Sequence, residues 1–299
     1  MQTAPLAFAT PPDVPSWQRW LVFSAVARVV FFAAMLFAVG FMIHVVLGLF
    51  GWVPKAASPL KLALVTLSLQ LLPALIAYLV LVKLIERRRM RECALATLPA
   101  FGGGGLSTGT ILFSIVVGVL WLLGVYHVVG INPNVNWLPQ LLVAGIGAGI
   151  GEEIVMRGVL FRIVEEGCGT WIAVAVSALF FGGAHIFNPG ATLWSWAAIA
   201  IEAGVMLALL YHVTRSLWAC VGLHASWNIM QGTVYGIPVS GGAADGWLVS
   251  YRTGPAWLSG GAFGAEASVV ALLVCSLFTA VLVTVALRRG SIVPVPRQR

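Results

Sequence analysis

Long apolar runs separated by short polar breaks dominate this chain of 299 residues. A helix needs about 20 apolar residues to cross a bilayer, and eight runs reach or approach that length. They span residues 29–50, 62–82, 106–129, 138–160, 171–187, 194–212, 217–235 and 269–287. The pattern predicts an all-α polytopic membrane protein with about eight transmembrane helices and any active site inside the helix bundle.

Composition supports this fold class and excludes a soluble one. Hydrophobic residues make up 60% of the chain, charged residues only 9%, and the mean hydropathy is +0.97. A soluble domain of this size could not bury so much apolar surface in one core. The net charge of +7 does not indicate a nucleic-acid partner, because the basic residues cluster at the ends of the apolar runs and form no long tract.

The positions of the basic residues predict the orientation of the chain, since Lys and Arg concentrate on the cytoplasmic side of membrane proteins. Every second run ends in basic residues, whereas the loops on the opposite side hold few. The basic residues after the even-numbered runs are Lys83, Arg87, Arg88, Arg89, Arg91, Arg162, Arg215, Arg288, Arg289, Arg297 and Arg299. Those of the opposite loops are Lys55, Lys61 and Arg252. We expect both termini in the cytoplasm, and interpret the 87–91 cluster as a topology signal in preference to a lipid site. Short loops and a Gly- and Ala-rich composition favour a bacterial inner membrane.

Two adjacent glutamates inside the fourth run are the first candidates for chemistry. Ionisable residues at membrane depth are costly and normally face a polar interior that serves a function. Glu153 and Arg157 stand four residues apart, in the favourable order for an ion pair on one helix face. Glu152 points about 100° away from them, so it lacks that partner and is the candidate general base.

Two further polar pairs lie in the fifth and seventh runs. Phe181 precedes His185 by four residues, and His224 precedes Asn228 by four, so each pair shares a helix face. Small residues that permit close packing of membrane helices surround the first two groups: Gly145, Gly147, Gly149, Gly151, Gly182 and Gly183. We expect three helices to converge and bring both pairs together with Glu152 in one polar pocket.

This inventory supports amide hydrolysis. Glu152 with His185 could orient and deprotonate a water molecule, while His224 and Asn228 could donate hydrogen bonds to the oxyanion. The same Glu152, His185 and His224 could instead hold a catalytic zinc, which needs three ligands and a water. The H-E-x-x-H arrangement is absent, and spacing alone does not choose between the two. Glu202, near the centre of the sixth run, is either a packing residue or part of the cavity wall.

The three motifs together resemble the CPBP family of intramembrane proteases, also called the CAAX protease or bacteriocin-processing family, which includes the eukaryotic Ras-converting endopeptidase. The family shows E-E-x-x-x-R, F-x-x-x-H and H-x-x-x-N in this order, and the chain carries all three between residues 138 and 235. The resemblance implies that Glu152 and His185 activate water. It also implies that His224 and Asn228 form the oxyanion hole.

The resemblance leaves two mechanisms open, one glutamate-dependent and one metal-dependent. We favour the form without a cofactor, because Asn228 is a poor zinc ligand and Glu153 already pairs with Arg157. Phe181 is expected to shape the pocket. The implied substrate is a membrane-associated peptide or protein that is prenylated or carries a membrane anchor, and the other implied partner is the lipid bilayer.

The chain divides into five segments on this interpretation. They are an N-terminal cytoplasmic or interfacial segment (1–28), the first three transmembrane helices (29–130), the family-like catalytic core (138–235), a Gly-rich outer loop (236–266), and the last helix with a basic tail (267–299).

Two other classes of function stay open. A proton-coupled transporter would use Glu152, Glu153 and Glu202 as a relay. A catalytically silent immunity or scaffold protein could share the same fold. The chain shows no inverted repeat of the kind found in many transporters.

Overall fold

The computed structural model describes residues 6–52 and 58–295. Lys55, Arg297 and Arg299, which entered the topology prediction, lie outside the described residues. The helices and strands are α1 (Ser16–Leu21), α2 (Ala25–Leu49), α3 (Pro59–Ile85), α4 (Leu95–Leu122), β1 (Tyr126–Ile131), α5 (Trp137–Cys168), α6 (Thr170–Ala184), α7 (Leu193–Thr214), α8 (Leu217–Asn228), β2 (Leu248–Arg252), α9 (Ala256–Ser259) and α10 (Val269–Arg289). A π-helical turn, Ile229–Val234, continues α8, and short 3₁₀ turns occupy Arg91–Cys93 and Ala265–Ala267.

The all-α polytopic class is confirmed, whereas the number of eight spans is not. Each predicted run falls on a helix, and six of these helices are long and apolar enough to cross a membrane: α2, α3, α4, α5, α7 and α10. The apolar helix α6 has only 15 residues and α8 only 12 before its π turn. These two helices carry the Phe–His and His–Asn motifs.

The third predicted run, 106–129, is wrong at its C-terminal end. Helix α4 stops at Leu122, and Gly124 follows with a φ of +67°, a conformation that glycine adopts without strain. Residues 126–131 then form strand β1, which pairs antiparallel with β2 and places Tyr126 opposite Arg252. The predicted outer loop is thereby tied to the end of α4.

Glycines bring α5 close to its neighbours. A Cβ added at Gly147 would overlap the Gln70 side chain of α3, and one at Gly151 would lie 2.7 Å from the Gln70 carbonyl oxygen. On another face, a Cβ at Gly149 would lie 3.0 Å from the Ala225 Cβ of α8. Close packing at these three glycines is confirmed, and it wedges the helix that carries both glutamates between α3 and α8.

Helix α5 changes its winding around the glutamates. Its π-helical stretches, Leu141–Ala148 and Ile154–Phe161, flank one α-helical turn, Gly149–Glu153. Short π-helical insertions are rare and frequently occur at functional sites. The glutamates therefore lie in the α-helical turn between the two π-helical stretches.

Candidate active site

A buried ion pair joined to a histidine forms the centre of the site. Glu153 and Arg157 are both fully buried, and Arg157 Nη1 donates to Glu153 Oε1 over 2.8 Å. The same oxygen lies 2.8 Å from Nδ1 of His224 on α8. The predicted pair between Glu153 and Arg157 is confirmed, and its contact with His224 is additional.

Arg157 also fixes the aromatic residue of the second motif. Its Nη2 donates to the carbonyl oxygens of Ala203 (3.1 Å) and Gly204 (3.3 Å) on α7. Its guanidinium carbon lies 4.6 Å from the centre of the Phe181 ring, a cation–π arrangement. The guanidinium thus connects α5, α6 and α7 in one buried cluster.

Phe181 in turn contacts both histidines. Its ring centre lies 5.0 Å from that of His185 and 5.9 Å from that of His224. Its carbonyl oxygen lies 2.7 Å from His185 Nδ1. A carbonyl oxygen only accepts, so His185 carries its proton on Nδ1, and Nε2 of the neutral ring is left as an acceptor.

Asn228 lies one helical turn after His224, and both are buried. The amide nitrogen of Asn228 donates to the carbonyl oxygen of Ala144 in α5 over 3.1 Å. An amide has two N–H donors, so one remains for another acceptor. His224 faces Glu153 through Nδ1, so Nε2 is the ring nitrogen left for a ligand.

His185, His224 and Asn228 line one small cavity of about 30 Å³, which is room for water. Phe181 lines it too. Glu202 is buried and also forms part of this wall. The three predicted residues of the second and third motifs are therefore together.

Glu152 lies in a different, larger cavity of about 570 Å³ between α2, α3 and α5. Most of its lining is apolar; His44 and Gln70 are its other polar residues. Within residues 6–52 and 58–295, no hydrogen bond joins Glu152 to either motif histidine. The expected single pocket is thus divided, because successive helix residues diverge by about 100° and Glu153 is the one turned toward α8.

Gln70 and Glu266 are cavity residues that the three sequence motifs do not predict. Gln70 is a polar residue inside an apolar run, and this is the signal for it in the sequence. Glu266 lines the small cavity and accepts hydrogen bonds from the Ser240 amide and the Gln231 side chain. Burial raises the pKa of Glu266 to about 7, although those hydrogen bonds lower it in part.

The residues of the zinc alternative are divided between the two cavities. Glu152 lines one cavity, and His185 and His224 line the other. Among the residues that the structure describes, no three His, Cys, Asp or Glu side chains are grouped as ligands for a metal ion.

The helices and the buried Glu–Arg–His cluster define an integral, multi-pass membrane protein with a polar site inside its bundle. Residues 134–230, about a third of the chain, match the family described as "Type II CAAX prenyl endopeptidase Rce1-like". This match confirms the resemblance and supports a protease. All three motifs lie inside it. No curated protein matches the chain significantly.

Proposed function

We propose that the protein is an intramembrane endopeptidase that hydrolyses a peptide bond of a prenylated or membrane-anchored substrate without a metal. The observation that carries this proposal is the small cavity inside the family-matched segment. There His185, His224 and Asn228 surround a space of about 30 Å³. Both imidazoles have Nδ1 engaged and Nε2 available.

His185 is suited to take a proton from water. The Phe181 carbonyl oxygen holds the proton on Nδ1, so the lone pair on Nε2 can accept a second one. Glu152 would act with His185 from the wall of the larger cavity, orienting the water that attacks the scissile carbonyl. Catalytic hydrogen bonds often form only once substrate is bound. Glu152 would therefore contact the attacking water only in the complex with substrate.

His224 and Asn228 would stabilise the oxyanion. Asn228 contributes its second amide N–H. His224 contributes Nε2–H only as the imidazolium, because its Nδ1 faces the Glu153 carboxylate. That carboxylate favours the imidazolium electrostatically, so Glu153 serves the chemistry through His224. Loss of one such donor typically lowers kcat about 10²–10³-fold.

The larger cavity is suited to the apolar part of a substrate. Its volume of about 570 Å³ falls in the range of ligand pockets. Phe37 and Phe41 line this cavity and are largely exposed on α2. The exposed surface of a membrane-spanning helix faces lipid. A prenyl or anchor segment could reach Glu152 from the bilayer by this route. The proposal includes a bacterial inner-membrane location with both termini in the cytoplasm.

The experiment that tests this proposal measures cleavage of a prenylated peptide and its unprenylated counterpart by purified protein. Glu152→Gln and His185→Gln should each abolish cleavage while the unfolding temperature stays unchanged. His127→Gln is a control, because His127 is a half-buried histidine of β1 that lines neither cavity. Full activity of Glu152→Gln would refute the proposed role of that residue.

In the part of the chain that the structure describes, no contact favours the transporter alternative. Glu153 is engaged by Arg157 and His224, and Glu152 and Glu202 line different cavities. Substrate-dependent proton flux in liposomes without peptide cleavage would support transport over proteolysis.

A further inference from the structure

A second polar cavity, of about 390 Å³, lies at the basic ends of α3, α5 and α7. We call it the basic cavity, because five arginines line it: Arg88, Arg89, Arg91, Arg162 and Arg215. Arg162 stands ten residues after Glu152, about 15 Å along the helix. The basic cavity is therefore separate from the candidate active site.

Two of its three glutamates are neutralised by arginines of the same wall. Glu92 accepts from Arg88 Nη1 over 3.0 Å, and Glu166 accepts from Arg162 Nη1 over 3.1 Å. Burial alone would raise the pKa of Glu92, but Arg88 lowers it below the usual value. Each of these two carboxyl groups is paired with the guanidinium of an arginine, so neither offers an unpaired acceptor charge to a ligand.

The third glutamate is engaged as well. Glu165 accepts from Nδ1 of His212 over 2.6 Å, from the Thr170 hydroxyl over 2.9 Å, and from Arg215. Arg215 keeps one donor, its Nε, which is buried without a partner in the described part of the chain.

The remaining polar groups of the wall are donors. Arg89 and Arg91 are exposed, and their side chains make no ion pair or hydrogen bond with the described residues. Tyr211 is only 2% exposed and lines the cavity, and its hydroxyl has no hydrogen-bond partner in residues 6–52 and 58–295. With three arginines paired to three glutamates, Arg89 and Arg91 leave a surplus of about two positive charges. Such a wall fits an anion that can accept several hydrogen bonds.

The depth of the cavity indicates where that anion comes from. Helices α3, α5 and α7 end there, at Ile85, Cys168 and Thr214. Ends of membrane-spanning helices lie at the level of the lipid headgroups, and basic pockets between helices on the cytoplasmic side bind anionic headgroups. We propose that the basic cavity binds the phosphodiester headgroup of an anionic phospholipid, with Arg89 and Arg91 as its charged contacts and Tyr211 as a hydrogen-bond donor.

The test titrates the detergent-solubilised full-length protein with dihexanoyl phosphatidylglycerol and measures its Kd. An Arg89→Gln/Arg91→Gln variant should bind about thirtyfold more weakly, because each basic residue near an anionic surface contributes about 1 kcal/mol and 1.4 kcal/mol is tenfold. A Lys83→Gln/Arg288→Gln variant removes the same charge from exposed sites outside the cavity, and should keep the wild-type Kd within threefold. Tyr211→Phe should weaken binding several-fold.

Three results would overturn the proposal. Equal binding of dihexanoyl phosphatidylcholine would show that the headgroup charge is not recognised. If the Lys83→Gln/Arg288→Gln variant bound the lipid as weakly as the Arg89→Gln/Arg91→Gln variant, the loss of affinity would come from the net surface charge and not from the cavity. Glycerol phosphate binding as tightly as the lipid would assign the cavity to a soluble phosphate. None of these readouts depends on peptidase activity.

Discussion

Replacing Arg157 with methionine tests the most heavily buried part of the site. The substitution removes the cation that pairs with Glu153 and leaves that carboxylate buried, with His224 as its remaining partner. Removing one member of a buried ion pair typically costs about 3–5 kcal/mol. The carbonyl oxygens of Ala203 and Gly204 also lose the hydrogen bonds that they accept from the guanidinium, which places the expected loss at the upper end of that range.

Unfolding of the purified protein in detergent, followed by tryptophan fluorescence, measures this loss. We expect Arg157→Met to unfold at a much lower denaturant concentration and to be purified in lower yield. Arg288→Met is the matched control, because Arg288 is exposed at the end of α10, and such surface substitutions stay within about 0.5 kcal/mol. Adding Glu153→Gln to Arg157→Met should recover part of the loss, since no unpaired charge then remains. An Arg157→Met protein within about 1 kcal/mol of wild type would refute this account of the cluster.

Three further predictions follow from single contacts. Glu153→Gln should lower kcat about 10²-fold with a smaller effect on KM, because His224 loses the carboxylate that stabilises its imidazolium; an unchanged kcat would argue against His224 as an oxyanion donor. Glu266 has a raised pKa of about 7, so the folded state binds its proton more tightly than the unfolded state. Its stabilising contribution is fully present below about pH 4 and is lost as pH rises through 7. Unfolding should therefore be easier at pH 8.5 than at pH 5.5, by about 2 kcal/mol, and a Glu266→Gln protein with the same pH slope as wild type would contradict this. Gly151→Ala should destabilise by about 1–3 kcal/mol, because its Cβ would lie 2.7 Å from a backbone oxygen of α3, whereas Gly183→Ala, with nothing within 4 Å, should be nearly neutral in the same unfolding assay.

The sequence predicts those contacts that lie within one helix. The i,i+4 spacing of Glu153 and Arg157 defines their ion pair, and the same spacing puts His224 and Asn228 on one side of α8. The spacing of residues along one helix does not predict which neighbouring helix each of its faces packs against. The bond between Glu153 and His224 and the position of Glu152 beside α2 and α3 both depend on tertiary packing.

Helix lengths are predictable only where the apolar run is unbroken. Helix α6 ends at Ala184 because His185 begins a turn, and α8 passes into a π-helical turn after Asn228. In both cases a motif residue marks the end of the regular helix. The predicted run 106–129 places Val128 and Val129 at the end of an apolar helix, although Gly124 and the strand propensity of these β-branched residues are signals for β1.

Mass spectrometry of a prenylated peptide incubated with purified protein tests whether hydrolysis depends on Glu152 and needs no metal. We expect a cleaved product with wild type that persists in excess chelator and disappears with Glu152→Gln. Loss of the product on chelation, with recovery on addition of zinc, would contradict metal-free hydrolysis and assign Glu152, His185 and His224 to a metal site.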